Sequence, residues 1–435
     1  MLALLGFSMM MIFILVIITG RCSALVALIL IPLLFAFIGG FNLEIKDMMI
    51  DGIERVAPTG IMLMFAILYF SIMIEAGLFN PIINIILKYT KNDPMRIVIG
   101  TTILSMITAL DGDGTTTYMI TVSAMLPLYI KLKMNPLILS STAMLAFGVM
   151  NMTPWGGPMA RAVTSLNVNM HDVFRPLIPV MGVGLLWTLF TAYILGKKEK
   201  MRLQSMGSGM SNDPFDRKHE GTAGPLHDHK IRKHLLWINF ILTAVLIACL
   251  FMELMSLPAL FMIAFAIALF INYPHVKDQR KILTSHAGNA ITVVLLVFAS
   301  GIFTGILSGT KMIDEMAKSL VFLIPASLGH HFPSITALSS LFFTYFLAND
   351  PYYYGVLPII AKTASEYGIE PVQIARASIL SMPLHVMSPL VASSYVLMGL
   401  VGVEFSKHQR FVFKWAAGSS IMMIIAAVTF GVISA

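Results

Sequence analysis

Residues 108–118 read T-A-L-D-G-D-G-T-T-T-Y, two carboxylates and two glycines set directly after an apolar run from 96 to 110. A carboxylate at membrane depth costs several kcal/mol unless something compensates it. Gly112 and Gly114 permit backbone angles that end one helix, and Thr115, Thr116 and Thr117 can cap the next. Irregular backbone survives at that depth only where it is buried in protein or lines a watery cavity. The stretch therefore predicts a broken helix whose free N–H groups face a cavity, with a polar loop at the membrane surface as the alternative. The positive end of such a helix, worth about half a charge, suits an anion.

The chain around this stretch has 435 residues, 57% hydrophobic and 12% charged, against about 25% charged in soluble domains. Apolar stretches of spanning length, about 20 residues, fill it. Clear ones are 2–19, 24–41, 60–79, 176–195, 235–255, 257–273, 290–307 and 411–434. The remainder is broken closely by Pro and Gly, which gives an all-α polytopic membrane protein of about 11–12 transmembrane spans plus re-entrant hairpins. The N-terminus enters an apolar run without a basic leader, so it reads as a retained first span. Cys22 and Cys249 lack any pairing pattern and read as structural thiols. The net charge of +7 sits mostly in connections, where it serves orientation in the membrane and contact with anionic lipid rather than nucleic acid.

One long polar segment, 196–233, has linker composition between basic ends, and the positive-inside rule places it in the cytoplasm. It divides the chain into a first membrane half, 1–195, and a second, 234–435. The halves resemble each other. Gly77 pairs with Gly305, Asp113 with Asp350, Asn135-Pro136 with Glu370-Pro371, and Met152 with Met387, at separations of 228, 237, 235 and 235 residues. Two repeats interrupted at matching places point to a secondary transporter that holds its substrate where the interruptions meet near mid-membrane. The repeats are taken as inverted, although hydropathy alone does not count the spans between matched elements.

A-N-D-P-Y-Y-Y (348–354) is the second-half counterpart of D-G-D-G-T-T-T, with Asn349 and Asp350 supplying oxygens at the break. M-T-P-W-G-G-P (152–158) and M-S-P-L (387–390) are further breaks. Thr153 and Ser388 precede prolines that leave carbonyls unpaired and able to coordinate a cation, and Asn151 is close by. Each hydroxyl taken singly is as easily a helix-packing contact. Only Arg161 and Arg376 stand near these breaks, against Asp111, Asp113, Asp350 and Glu75. A bare polyanion would be repelled, so cations are expected to accompany the substrate: protons on aspartates, a metal on the substrate, or both. His385 is a candidate proton or ligand group, His330 and His331 read as interfacial, and Tyr352, Tyr353 and Tyr354 read as cavity lining or an interfacial belt.

The segments M-L-A-L-L-G-F-S-M-M, V-A-P-T-G-I-M-L-M-F-A-I-L-Y-F-S-I-M-I-E-A-G-L-F, A-L-D-G-D-G-T-T-T-Y-M-I-T-V-S-A-M-L-P-L-Y, M-N-M-T-P-W-G-G-P-M-A-R-A and N-D-P-Y-Y-Y-G-V-L-P resemble the CitMHS family of bacterial citrate–metal symporters, within the ion transporter superfamily. The resemblance runs end to end, with D-G-D-G and P-W-G-G-P its more specific pieces. It implies uptake of citrate complexed to magnesium or calcium, coupled to protons, through elevator-like movement in a bacterial cytoplasmic membrane, and a homodimer. It places family sites on Asp113 to Thr117, Asn151 to Thr153, Asn349, Asp350 and Met387 to Pro389. Glu75 departs from the aspartate such a chain would carry, and the Ser-Asn-Thr signature of related dicarboxylate carriers is missing.

The expected contacts to the metal–citrate complex are thus Asp113, Thr115, Thr116, Asn151, Thr153, Asn349 and Ser388. Asp113 and Asp350 would face the metal, and Asp111 and Asp350 would serve proton coupling. No resident cofactor is expected; the metal is cargo. A cation/proton antiporter with Asn349-Asp350 as its ion site is the alternative, disfavoured by the many hydroxyl and amide breaks. An intramembrane aspartyl protease using paired aspartates gives the duplication no role.

Overall fold

The computed structural model describes residues 1–19, 21–90, 93–206, 233–252, 254–321, 326–347 and 349–434. The first half runs through α1 (Leu2–Ile18), α2 (Ala24–Ile38), α3 (Ile45–Glu75), α4 (Asn80–Thr90), α5 (Pro94–Thr108), α6 (Gly114–Lys131), α7 (Pro136–Met150), α8 (Gly157–Leu166) and α9 (Met170–Met206). The second runs through α10 (Lys233–Phe251), α11 (Leu257–Asn272), α12 (Val276–Gly309), α13 (Met312–Val321), α14 (Phe332–Phe346), a π-helical turn (Pro351–Val356), α15 (Leu357–Ser365), α16 (Pro371–Ile379), α17 (Met382–His385), α18 (Ala392–Val401) and α19 (Phe405–Thr429). Of the polar segment, α9 takes the stretch up to 206, and 207–232 lie outside the described residues.

The element series of the halves run in step. Helices α7, α8 and α9 begin at 136, 157 and 170, and α16, α18 and α19 begin at 371, 392 and 405, each 235 positions later. One expected pairing shifts. Gly305 lies inside α12, whereas Gly77 lies just past the end of α3 in a left-handed turn, φ 78°. The residue that holds the matching place after α12 is Lys311, φ 58°, 234 positions on from Gly77. Gly305 instead serves packing. A Cβ there would run into the Met48 carbonyl, and one on Gly52 into the Gly301 carbonyl, so α3 and α12 cross backbone to backbone. Helix α11 packs on α3 as α2 packs on α12.

Local chemistry starts the helices where the sequence breaks. Asp93 and Asn135 accept from Met95 N–H and Leu137 N–H, each followed by a proline in the first turn. Helices α5 and α6 then fold back on each other: Thr108 bonds Thr121 at 3.2 Å and Thr101 bonds Tyr129 at 3.4 Å. D-G-D-G is the tip of this hairpin, with Gly112 at φ 77°. Both hairpin ends lie beside the end of α9, where Lys200 bonds Asp93 and Arg202 bonds the Lys133 carbonyl. The Asn135 amide that opens α7 is held by Glu199 in the same place. Helix α7 continues through a break into α8, whose end leads directly to the start of α9.

The second half does the same at the other end of α9. Phe332 at the start of α14 stacks on Tyr367 just past α15, ring centroids 5.5 Å apart. Arg376 of α16 bonds the Asp172 carbonyl near the start of α9 and the Val432 carbonyl past α19. Since α9 has 37 residues, about 55 Å of helix, the two hairpins open toward opposite ends of it. Five helices are each long and apolar enough to cross a membrane among the described residues. Six shorter apolar helices of 10–17 residues accompany them among the described residues, so fewer helices reach spanning length by themselves than the roughly 11–12 spans expected.

Candidate functional site

Both hairpin tips and both helix breaks meet around one polar cavity of about 380 Å³. Hairpin one contributes Gly112 and Asp113, hairpin two Asn349 and Asp350. The first break contributes Asn151, Gly157, Pro158 and Arg161, and the second contributes His385, Val386, Leu390, Val391 and Ser393. Phe147 closes the wall.

Four helix N-termini border this cavity, and the sequence treats them differently. Asp113 caps α6, accepting from Thr115 N–H at 3.4 Å, Thr116 N–H at 2.8 Å and Thr116 Oγ1 at 2.6 Å. Its carboxylate therefore offsets the positive end of α6. Asp350 heads the π-helical turn without capping it. Helices α8 and α18 begin after Gly156 and Val391, neither of which supplies a side-chain cap. Their positive ends stay open toward the cavity. Gly156 is required here: a Cβ would strike the Asn151 carbonyl, while its N–H closes the turn before α8 on the Thr153 carbonyl at 2.8 Å.

Arg161 of α8 donates Nε–H to Asp350 Oδ1 at 2.7 Å, joining the first-half break to the second-half hairpin tip. Among the described residues this is the guanidinium's hydrogen bond, so its terminal N–H groups stay available. The Asn349 Oδ1 and Thr153 Oγ1 atoms are buried with no partner among the described residues. Buried polar atoms are nearly always paired, so the Asn349 orphan, which lines the cavity, marks a place for a ligand or water.

The expected site residues separate into groups. Asp113, Asn151, Asn349 and Asp350 line the cavity, and Arg161 and His385 join them. Thr115 and Thr116 act on Asp113 rather than on the cavity. Thr153 is buried in the break behind the wall. Ser388 knits the second break to hairpin two, donating to the Tyr345 carbonyl at 2.7 Å and accepting from Leu390 N–H at 3.2 Å. His385 Nδ1 is 2.6 Å from the Thr344 carbonyl; a carbonyl only accepts, so this nitrogen carries the hydrogen. Asp111 lies beneath the tip of hairpin one, 8% exposed, accepting from Asp113 N–H and Thr117 Oγ1.

Three candidates stand elsewhere. Glu75, at the end of α3, accepts from Tyr273 Oη at 3.0 Å and lies 3.6 Å from His286. Arg376 is spent on helix-end carbonyls. Tyr352, Tyr353 and Tyr354 neither line the cavity nor form a belt; all three are fully buried behind hairpin two, because the π-helical turn points them into the core. Sequence reading passed over the open N-termini of α8 and α18 and over Ser393. The first had a signal, since P-W-G-G-P ends in the glycine and proline that begin a helix; V-A-S-S-Y carried none.

No three His, Cys, Asp or Glu side chains converge as a metal cage among the described residues. A metal in this cavity would have to bring most of its ligands with it.

Comparison with known proteins fits this geometry. The chain matches the family described as citrate transporter, CitMHS, over residues 3–381. It is 55% identical over the full length of both chains to a citrate transporter of Bacillus subtilis (strain 168). It is 49% identical to the Mg(2+)/citrate complex secondary transporter of the same organism, covering 100% of this chain and 99% of that protein. The YdaH transporter of Alcanivorax borkumensis, whose crystal structure has an unusual topology, superposes with a TM-score of 0.62 over 88% of each chain at 12% identity, a likeness of fold alone.

Proposed function

We propose that this chain, which belongs to the CitMHS family of citrate transporters, carries citrate into the cell as a complex with a divalent metal of the magnesium or calcium class, coupled to protons. The observation that carries the proposal is the single cavity in which both hairpin tips and both broken helices meet, lined by acidic groups and bordered by open helix N-termini. The relative that handles a Mg(2+)/citrate complex is its precedent.

Fully ionised citrate on a divalent metal keeps about one net negative charge. The open ends of α8 and α18, about half a charge each, match it. In this reading the citrate carboxylates face those ends and the terminal N–H groups of Arg161. The metal faces Asp113 and the orphaned Asn349 carbonyl. Hard oxygen donors and retained waters suit magnesium or calcium. Asp111 and Asp350 are the carboxylates assigned to proton coupling.

The halves are proposed to be inverted repeats. The hairpins open toward opposite ends of α9, and charge supports this orientation. The end of the molecule that holds the close of α9 gathers Lys88, Arg96, Lys131, Lys133, Lys197, Lys198, Arg280, Lys281, Lys407 and Arg410. The other end carries fewer, Lys46, Arg175, Lys311, Lys318, Lys362 and Arg376, among Glu44, Asp47, Asp172, Asp314, Glu315 and Glu366. By the positive-inside rule the first end is cytoplasmic. Hairpins and broken helices would then move as one unit against the crossed α3 and α12, giving the cavity access to each side in turn. A homodimer of the bacterial cell membrane is the proposed setting.

Purified protein in proteoliposomes tests the proposal through radiolabelled citrate uptake across a panel of metals, with and without an imposed proton gradient. Uptake is expected to need a divalent metal and to rise when the outside is acidic. Uptake indifferent to metal would refute it.

A further inference from the structure

A carrier of a metal complex must refuse the same acid when it is bare. Which residue does so can be inferred here, resting on the function proposed above. The charged side chains lining the cavity are Asp113, Asp350 and Arg161. With His385 counted neutral, two carboxylates against one guanidinium leave a formal charge of −1. Asp113 is committed to α6, three donors converging on its carboxylate. Asp350 has no such local task. It leaves its own N-terminus uncapped and reaches across from the second half to Arg161 of the first.

Arg161 is the one cation among the cavity's described lining residues, and a guanidinium is the group that would grip a free carboxylate in a two-pronged fork. Asp350 occupies one part of that fork and cancels its charge. The pair is largely buried, its side chains 21% and 19% exposed, so removing one member alone leaves the other charge poorly compensated.

We infer that Asp350 is the specificity residue that excludes metal-free citrate. With Arg161 neutralised, the attraction left to the cavity is that of two open helix ends. These match a complex of one net negative charge, but leave a trianion largely uncompensated as it sheds its water. Removing the Asp350 charge adds one positive unit and frees the fork.

The test compares citrate uptake with excess magnesium and uptake with a chelator and no added metal, in proteoliposomes, for wild type and Asp350→Asn. Calorimetry of citrate with and without magnesium reports binding independently of coupling. The ratio of metal-free to magnesium-bound binding is expected to rise at least tenfold in Asp350→Asn and to keep its wild-type value in Asp350→Glu. A folded Asp350→Asn with an unchanged binding ratio, or with binding of both forms lost equally, overturns the inference. Where that variant does not fold, Asp350→Asn/Arg161→Gln removes both charges at once. Calorimetry is expected to show both forms bound more weakly with the wild-type ratio of metal-free to magnesium-bound binding kept, and a raised ratio overturns the inference. Wild type that takes up no magnesium–citrate would overturn the proposed function instead, so the two failures are told apart.

Discussion

Asp113→Asn separates two tasks that one carboxylate performs. The side chain caps α6 and, in the proposed site, faces the metal. Asparagine caps a helix about as well as aspartate, so the fold should hold, with a change of a few tenths of a kcal/mol. The charge is lost altogether. Opposite unit charges about 4 Å apart attract by roughly 1 kcal/mol in water and about 4 kcal/mol at an effective dielectric near 20, and a divalent ion doubles these figures. Asp113 is solvent-exposed at the hairpin tip, so the lower part of that span applies, about 2–4 kcal/mol. That is a rise of roughly 30- to 1,000-fold in KM for the metal complex. The assay is initial uptake of labelled citrate against magnesium–citrate concentration, beside thermal unfolding in detergent. A KM within threefold of wild type, with the protein folded, would refute the placing of the metal at this tip.

Gly305→Ala drives a methyl group into the Met48 carbonyl at the α3–α12 crossing. Overpacking costs about 1–3 kcal/mol, so unfolding should fall several degrees; an unchanged unfolding temperature would contradict the close crossing. The Lys200 hydrogen bond holds the Asp93 carboxyl below its usual range. A depressed folded pKa gives stability that is present above the unfolded value, about 3.9, and lost as pH falls through the folded one. Lys200→Met should therefore lower stability at pH 7, by less than about 1 kcal/mol for so exposed a pair, and the gap should close below about pH 4; an equal gap at both pH values would dispose of the linkage. In a background with Cys22 and Cys249 replaced by serine, Lys318→Cys should react with an impermeant maleimide on intact cells, and Lys88→Cys only after permeabilisation. Labelling of both from one side would exclude inverted halves.

Sequence alone determined the class of the molecule and the places where its helices break. Composition forbids a soluble core, and Gly, Pro and capping side chains act within a few residues, so Asn135-Pro136, Glu370-Pro371 and D-G-D-G do in the fold what their chemistry dictates. The cavity-lining places of Asp113, Asn151, Asn349 and Asp350 were legible for the same reason. Only the tertiary structure decided what each polar group faces. Arg161 and Asp350 are 189 residues apart, and nothing local joins them. Gly77 and Gly305 look alike as letters yet stand in a turn and in a helix crossing. Three buried tyrosines and the open ends of α8 and α18 were likewise settled by packing. Backbone breaks are local events; charge pairing and burial depend on which helices the whole chain brings side by side.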